Sequence, residues 1–346
     1  MAQDARPQVV LVTGVSRFLG AQIAANLAAR PDVHQVIGLD PFPPSTDADL
    51  SGVEVVQADL RSAEEIIVDL GVRAVAHLAV ISSPDQGRGG RAAMKEQNVI
   101  GTMQLLAACQ QAPSLRRLVV RSSTAAYGAS FRDPAVFTED TEPREIPRGG
   151  YARDILDIEG YVRGFRRRRP DVAATVLRFA PFIGPAAETA LLRYLARPAV
   201  PTVFGRDPRL QFIHVDDALA LIERSVMEDH AGTFNVAGPG TLMLSQAVRR
   251  AGRVALPILE PGLTLAAAAG RGIISQDQID LFVYGRVVDI SRLVAEFGFT
   301  PRSTPAAFDD FVRTHAAGAS LTPQRLAAAE KSFLETIQRV RREVRS

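Results

Sequence analysis

Lysine is almost missing from this chain. In 346 residues it occurs only at Lys95 and Lys331, so the basic residues are nearly all arginine. Any role that calls for an ε-ammonium group has just those two candidates. Cysteine is scarcer still. Cys109 stands alone inside the apolar helical pattern LLAACQQ, which excludes an intramolecular disulfide and a cysteine metal framework and reads as a small buried side chain. No run approaches the roughly 18 apolar residues of a membrane span, so no transmembrane segment is expected. The opening MAQDARPQ lacks an apolar signal region, and the cytoplasm is the expected compartment. A large charge of either sign is lacking too: the formal net charge is +2, too small to steer the protein to nucleic acid or a membrane. No His/Cys/Asp grouping has metal-ligand spacing, so no metal is expected. No Ser–His–Asp order suggests a hydrolase.

What is present is apolar sequence in short blocks. Hydrophobic residues make up 47%, enough for a full α/β core. Strand patterns at 9–13, 35–39, 53–57, 73–79, 116–122 and 174–179 alternate with helical patterns near 18–30, 62–70, 91–111 and 151–168. Continuous apolar strands are covered on both faces. Their alternation with helices predicts an α/β fold with a Rossmann-type, doubly wound parallel sheet. Beyond residue 180 the pattern mixes short strands and helices, which predicts a smaller C-terminal α/β lobe for the substrate. The expected division is 8–180 for the nucleotide-binding domain, with 206–236 returning to it. Residues 181–205 and 237–320 then form the second lobe, and 321–346 an amphipathic C-terminal helix. The small-residue stretch 262–275 fits no element. The run Arg166 to Arg169, at a helix end before Pro170, reads as a solvated face that complements the helix dipole.

The first strand–helix junction is VVLVTGVSRFLGAQIAANLAAR. Gly14 follows the strand directly and Gly20 opens the helix. The first allows a tight turn, and the last lets the helix pack close to the strand. The helix N-terminus then offers free N–H groups to a pyrophosphate. The second strand ends in Asp40, and a carboxylate at that point accepts hydrogen bonds from a ribose 2′-OH and repels a 2′-phosphate. The expected cofactor is therefore NAD rather than NADP.

Ten segments in order extend the pattern: TGVSRFLG, LD at 39–40, ADL at 58–60, HLAV at 77–80, NVIGT at 98–102, SSTAAYG at 122–128, LRFAPFIGP at 177–185, FIHVDDALAL at 212–221, GTFNVAG at 232–238 and DISRLVAEFGFTP at 289–301. With these the chain resembles the extended short-chain dehydrogenase/reductases, in particular the NAD-dependent epimerase/dehydratase family and its actinobacterial UDP-glucose 4-epimerase-like branch. The resemblance implies that Gly14, Arg17, Phe18, Leu19 and Gly20 border the pyrophosphate and that Asp40 holds the adenosine ribose. Asp59 and Leu60 would border the adenine, Leu78 and Ala79 line the cofactor, and Asn98 support the site from its helix. Ser123 matches the residue that polarises the reacting oxygen, Tyr151 the general acid/base that also touches the cofactor, and Glu159 the acid eight residues beyond it. A small-molecule substrate in the 181–290 lobe, of sugar-nucleotide or other hydroxyl/carbonyl type, and a homodimer through two helices beside the Tyr151 segment are further implications.

Four positions depart from the family pattern. The middle glycine of the turn is Arg17, followed by Phe18. The lysine four residues after the tyrosine is Ile155. An asparagine after the LR pair is Pro181, and the Arg-Asp before FIHVDD is Leu210-Gln211. The lysine matters most for chemistry, because an unassisted tyrosine with a pKa near 10 is ionised in only about one molecule in a thousand at pH 7. Lys95, one turn before Asn98, reads as a surface lysine, with an approach to the site as the alternative. Restoring the residue, Ile155→Lys, is expected to tighten NAD binding or acidify Tyr151. Three readings stay open at this point: an NAD-dependent oxidoreductase of atypical mechanism, an NAD-binding sensor or scaffold without catalysis, and a lipid- or membrane-surface partner using 262–275 and the C-terminal helix.

Overall fold

The computed structural model describes residues 8–44, 48–83, 89–147, 150–185, 189–260 and 275–315. The expected C-terminal helix at 321–346 and nearly all of 262–275 lie outside the described residues. The chain divides into two compact units.

The first unit comprises 1–180, 216–237 and 288–301. Its strands are β1 (Gln8–Thr13), β2 (Val33–Asp40), β3 (Val53–Gln57), β4 (Ala74–His77), β5 (Arg117–Ser123) and β6 (Ala173–Phe179), joined by the strand Gly232–Val236. They pair in parallel in the order Gly232–Val236, β6, β5, β4, β1, β2, β3. The strand order reverses between β1 and β4. In a doubly wound sheet that switch point opens a crevice at the carboxyl ends of the strands. One face of the sheet is covered by α2 (Ala63–Asp69), α4 (Thr102–Gln111) and α5 (Gly150–Arg168). Leu11, Val75, Leu118, Val120 and Val176 meet Ile67, Leu105, Ile158, Val162 and Phe165 there in one apolar cluster. Cys109 lies in that cluster, where burial pushes its thiol up to about 12.

The helical run expected near 91–111 is three pieces. α3 (Gly90–Lys95) leads through a π-helical turn, Glu96–Gly101, into α4. Such widened turns often mark functional positions, and this one contains Asn98. The arginine run is not a solvated face throughout. Arg166 donates to the carbonyls of Ala174 and Gly232, clamping the edge of the sheet. Arg169 donates to the carbonyls of Cys109, Gln110 and Ala112 at the end of α4. Both satisfy main-chain acceptors left over where a strand or helix stops. Only Arg167 and Arg168 are exposed.

The second unit comprises 181–215, 238–287 and 302–346. It holds three two-stranded pairings: Ala199–Val203 with Val254–Ile258, Phe182–Ile183 with Ile213–His214, and Arg209–Leu210 with Leu242–Met243. These pairings hold 206–215 in the second unit, so the return to the first begins at Asp216 rather than 206. The segment 288–301, expected in the second lobe, belongs to the first unit because Val288 bridges Phe137 and Asp289 N–H donates to the Phe137 carbonyl. His214 is buried and hydrogen-bonds Asp310 at 3.0 Å. Among the described residues no helix is long and apolar enough to cross a membrane.

Candidate dinucleotide site

The turn after β1 is built from backbone. Gly14 has φ +87°, in the left-handed region, and a Cβ there would stand 2.8 Å from the Ala79 nitrogen. A Cβ on Gly20 would overlap the Gly14 carbonyl oxygen. Each glycine is thus demanded by main-chain atoms that have nowhere to retreat. The helix this turn feeds, α1 (Phe18–Ala28), has no side-chain cap at Arg17 and no acidic residue in its first turn. Its leading N–H groups and the positive end of its dipole are left for an anion. Ser16 Oγ is buried and without a hydrogen-bond partner in the same turn. An orphaned hydroxyl is costly unless a ligand satisfies it. Phe18 is exposed and Leu19 half-buried.

Asp40, buried at the end of β2, accepts from the main-chain N–H groups of Ser16 and Phe42, each at 3.0 Å. One carboxylate oxygen fixes the turn and the other its own loop, and each retains a lone pair for a hydroxyl donor. Asp59 is exposed and precedes the short 3₁₀ turn Leu60–Ser62, while Leu60 is buried in the core. Leu78 and Ala79 are buried in the loop after β4. Among the described residues no group of His, Cys, Asp and Glu could hold a metal ion.

That loop is held by a hydrogen-bonded chain with one consistent direction. Thr102 Oγ1 donates to the Asn98 carbonyl at 2.5 Å, so it must accept from His77 Nε2 at 2.8 Å. His77 Nδ1 then accepts from Thr13 Oγ1 at 2.8 Å, and Thr13 in turn accepts from the N–H groups of Leu78 and Ala79. This assigns the Nε2–H tautomer. Burial pulls the His77 pKa down to about 4, which keeps it neutral. Asn98 completes the brace: its side chain accepts from Ile81 N–H at 2.7 Å and donates to the Ile81 carbonyl at 2.9 Å.

The same end of the sheet carries a second buried network. Glu159 receives Ser122 Oγ at 2.5 Å and both arms of Arg178 at 2.9 and 2.7 Å. Arg178 also donates to Tyr127 Oη, which donates to Asn235. Burial raises the Tyr127 pKa, so this phenol is a structural donor. Glu159, expected as part of the active-site motif, instead balances a buried arginine. The charged loop after Gly128 is strapped onto this network: the Glu139 carbonyl accepts from Arg178, and Phe137 stacks on Tyr127 with ring centroids 4.7 Å apart.

The residues expected to carry chemistry are less well assembled. Ser123 ends β5, and its Oγ accepts from Ala125 N–H at 3.1 Å, capping the turn Thr124–Tyr127. Tyr151 is half-buried on the first turn of α5 and packs against the apolar cluster. Ile155 is wholly buried in that cluster, and Lys95 is exposed on α3. Pro181 is half-buried, Leu210 is buried, and Gln211 donates to the Gly238 carbonyl.

Two residues not singled out by motif complete the head of α5. Asp154, three residues after Tyr151, has a side chain only 1% exposed. It receives Arg91 Nη1 at 2.8 Å, Arg91 Nη2 at 2.5 Å and Asn98 Nδ2 at 3.1 Å. The signal in the sequence was an acid on an otherwise apolar helical face, between Ala152 and Ile155.

Known proteins share this architecture. The family model for the NAD dependent epimerase/dehydratase family matches residues 10–237. An uncharacterized protein of Mycobacterium tuberculosis is 45% identical over 342 residues, covering 96% of this chain and 91% of the relative. A UDP-glucose 4-epimerase from Thermotoga maritima, solved with UDP-glucose, superposes with a TM-score of 0.70 at 18% identity over 89% of this chain and 99% of its own. A dTDP-glucose 4,6-dehydratase from Bacillus anthracis, solved with NAD, gives a TM-score of 0.69 at 16% identity over 90% and 97%. A family match over residues 10–237, which hold nearly all of the seven-stranded sheet, settles the family. The chain belongs to the NAD-dependent epimerase/dehydratase family.

Proposed function

We propose that this protein binds NAD in the turn between β1 and α1 and exchanges hydride with a hydroxyl or carbonyl carbon of a small substrate, with sugar nucleotides as the leading class. The observation that carries the reading is the turn itself: two glycines with no room for a Cβ, an uncapped helix start, an orphaned Ser16 hydroxyl and a buried Asp40. These fit a pyrophosphate followed by a ribose diol. Gly14–Gly20 would hold the phosphates through N–H groups, and Asp40 the adenosine ribose. NAD, when bound, supplies a hydride acceptor at its nicotinamide carbon.

Tyr151 is the proton-transfer group in this reading and Ser123 the donor to the reacting oxygen. Ser123 must then turn its O–H outward while its lone pair keeps the Ala125 N–H, which one hydroxyl can do. Without a lysine on its own helix face, Tyr151 acts as a phenol that gives or takes a proton in concert with the substrate, and slow turnover follows. The test pairs calorimetry with NAD and a turnover screen over nucleotide sugars, using Tyr151→Phe as control. NAD binding together with turnover that Tyr151→Phe abolishes is the expected result. Failure of the wild-type protein to bind NAD would overturn the reading.

A second reading is favoured by Ile155, which fills the lysine position with buried hydrocarbon. The protein would then bind NAD as a sensor or scaffold. NAD binding without turnover on any nucleotide sugar would select it.

A further inference from the structure

The most unusual group near the proposed cofactor site is the Arg91–Asp154 pair at the head of α5. Asp154 is buried, and a lone carboxylate in that place would be prohibitively costly. Arg91 reaches it from α3 in a two-pronged fork, the strongest geometry available to this pair. The second hydrogen of Nη2 goes to the carbonyl of Gly150 at 2.9 Å, the residue just before Tyr151. A Cβ on Gly150 would fall on Arg91 Nε, so glycine at 150 leaves the space that the guanidinium fills. Asn98 bonds Asp154 from one side, and its carbonyl starts the chain through Thr102, His77 and Thr13 to the loop Leu78–Ala79. The pair is therefore braced against the same loop that packs on Gly14.

Three hydrogens of the Arg91 guanidinium are used in this way. The Nε hydrogen and one Nη1 hydrogen have no partner among the described residues, and the side chain is 39% exposed. Asp154 neutralises the positive charge. The unused hydrogens lie on different edges of the guanidinium, Nε–H beside Gly150 and Nη1–H away from it, so Nη1 offers a fixed donor with little net charge, suited to a neutral hydroxyl oxygen and poorly suited to a second phosphate.

We infer that Arg91, clamped by Asp154, is a cofactor-binding residue that donates through Nη1 to a hydroxyl of the ribose distal to the adenosine. Because its charge is already paired, it does not replace a free cation beside Tyr151. The inference rests on the NAD reading above and adds the residue that distinguishes the second ribose.

ADP-ribose and ADP differ by that one ribose, so their relative affinity isolates the contact. Removing Arg91 alone would strand the buried Asp154 charge. The informative variant is therefore Arg91→Met with Asp154→Asn, checked for an intact thermal transition. By calorimetry, the wild-type protein should bind ADP-ribose at least tenfold more tightly than ADP. In the double variant the gap should shrink to less than threefold, with ADP affinity unchanged. A gap that persists in the double variant overturns the role of Arg91 and leaves NAD binding standing. Equal loosening of both nucleotides shows a merely structural pair and also overturns it. A wild-type protein that binds neither nucleotide overturns this inference together with the NAD reading.

Discussion

The turn after β1 and the head of α5 belong to the same unit, yet they meet the family pattern in opposite ways. In the turn, the recognisable residues are dictated by main-chain contacts. Gly14 lies against Ala79 and Gly20 against Gly14, so neither position tolerates a side chain. The departure at Arg17 falls on a half-buried residue with extended backbone, where a side chain fits. At the head of α5 the expected lysine was only a side chain, and it has been exchanged for buried hydrocarbon while a fork from α3 occupies the neighbouring place. A site made of backbone changes by clash; a site made of side chains can be rebuilt from another helix.

The largest test of this contrast is Ile155→Lys. From sequence alone the restored lysine should strengthen the site. The burial of Ile155 among Leu105, Val120 and Ile158 reverses that expectation. An unpaired ammonium there should cost about 3–5 kcal/mol, read as a large drop in the urea midpoint. A stable variant with acidified Tyr151 would show that the α5 face turns toward the crevice after all.

Gly20→Ala probes the other side. Its Cβ would meet the Gly14 carbonyl, which cannot move without unseating the turn. A destabilisation of about 3 kcal/mol with loss of NAD binding is expected, and wild-type affinity in this variant would contradict the packing described.

The brace between the two regions has its own signature in pH. His77 titrates near 6.5 when unfolded and near 4 when folded, because burial disfavours its charged form. The unfolded chain therefore binds a proton first as pH falls. Stability is complete above about pH 6.5 and erodes below it, by about 3 kcal/mol at pH 4 from this group. In His77→Gln the slope of stability against pH between 6.5 and 4.5 should flatten, and an unchanged slope would argue against a neutral buried His77.

The smallest effect belongs to Lys95→Ala. Lys95 is exposed at the end of α3, so stability should change by less than about 0.5 kcal/mol and NAD affinity not at all. A tenfold loss of affinity would place Lys95 against the cofactor instead.

Much of the first unit was legible because its signals are local. β-branched runs, helical spacing and glycines at a strand end each act within a few residues, and they located β1 to β6, α1, α5, Gly14, Gly20 and Asp40. The arginine run departs from a solvated face because the carbonyl partners of Arg166 and Arg169 lie on other elements, 8 to 66 and 57 to 60 residues away. The return expected at 206 falls at 216 for a similar reason: the pairings that keep 209–214 in the second unit are made with 182–183 and 242–243.

The sequence by itself determined the doubly wound sheet, the glycine turn after β1 and the absence of the lysine, because each follows from the order and chemistry of neighbouring residues. The tertiary structure alone decided what stands near the lysine's place. Arg91 and Asp154 are 63 residues apart, and their pairing depends on α3 and α5 being brought to the same end of the sheet. Only that juxtaposition turns an acid on an apolar helix face and an unremarkable arginine into a fixed pair beside Tyr151.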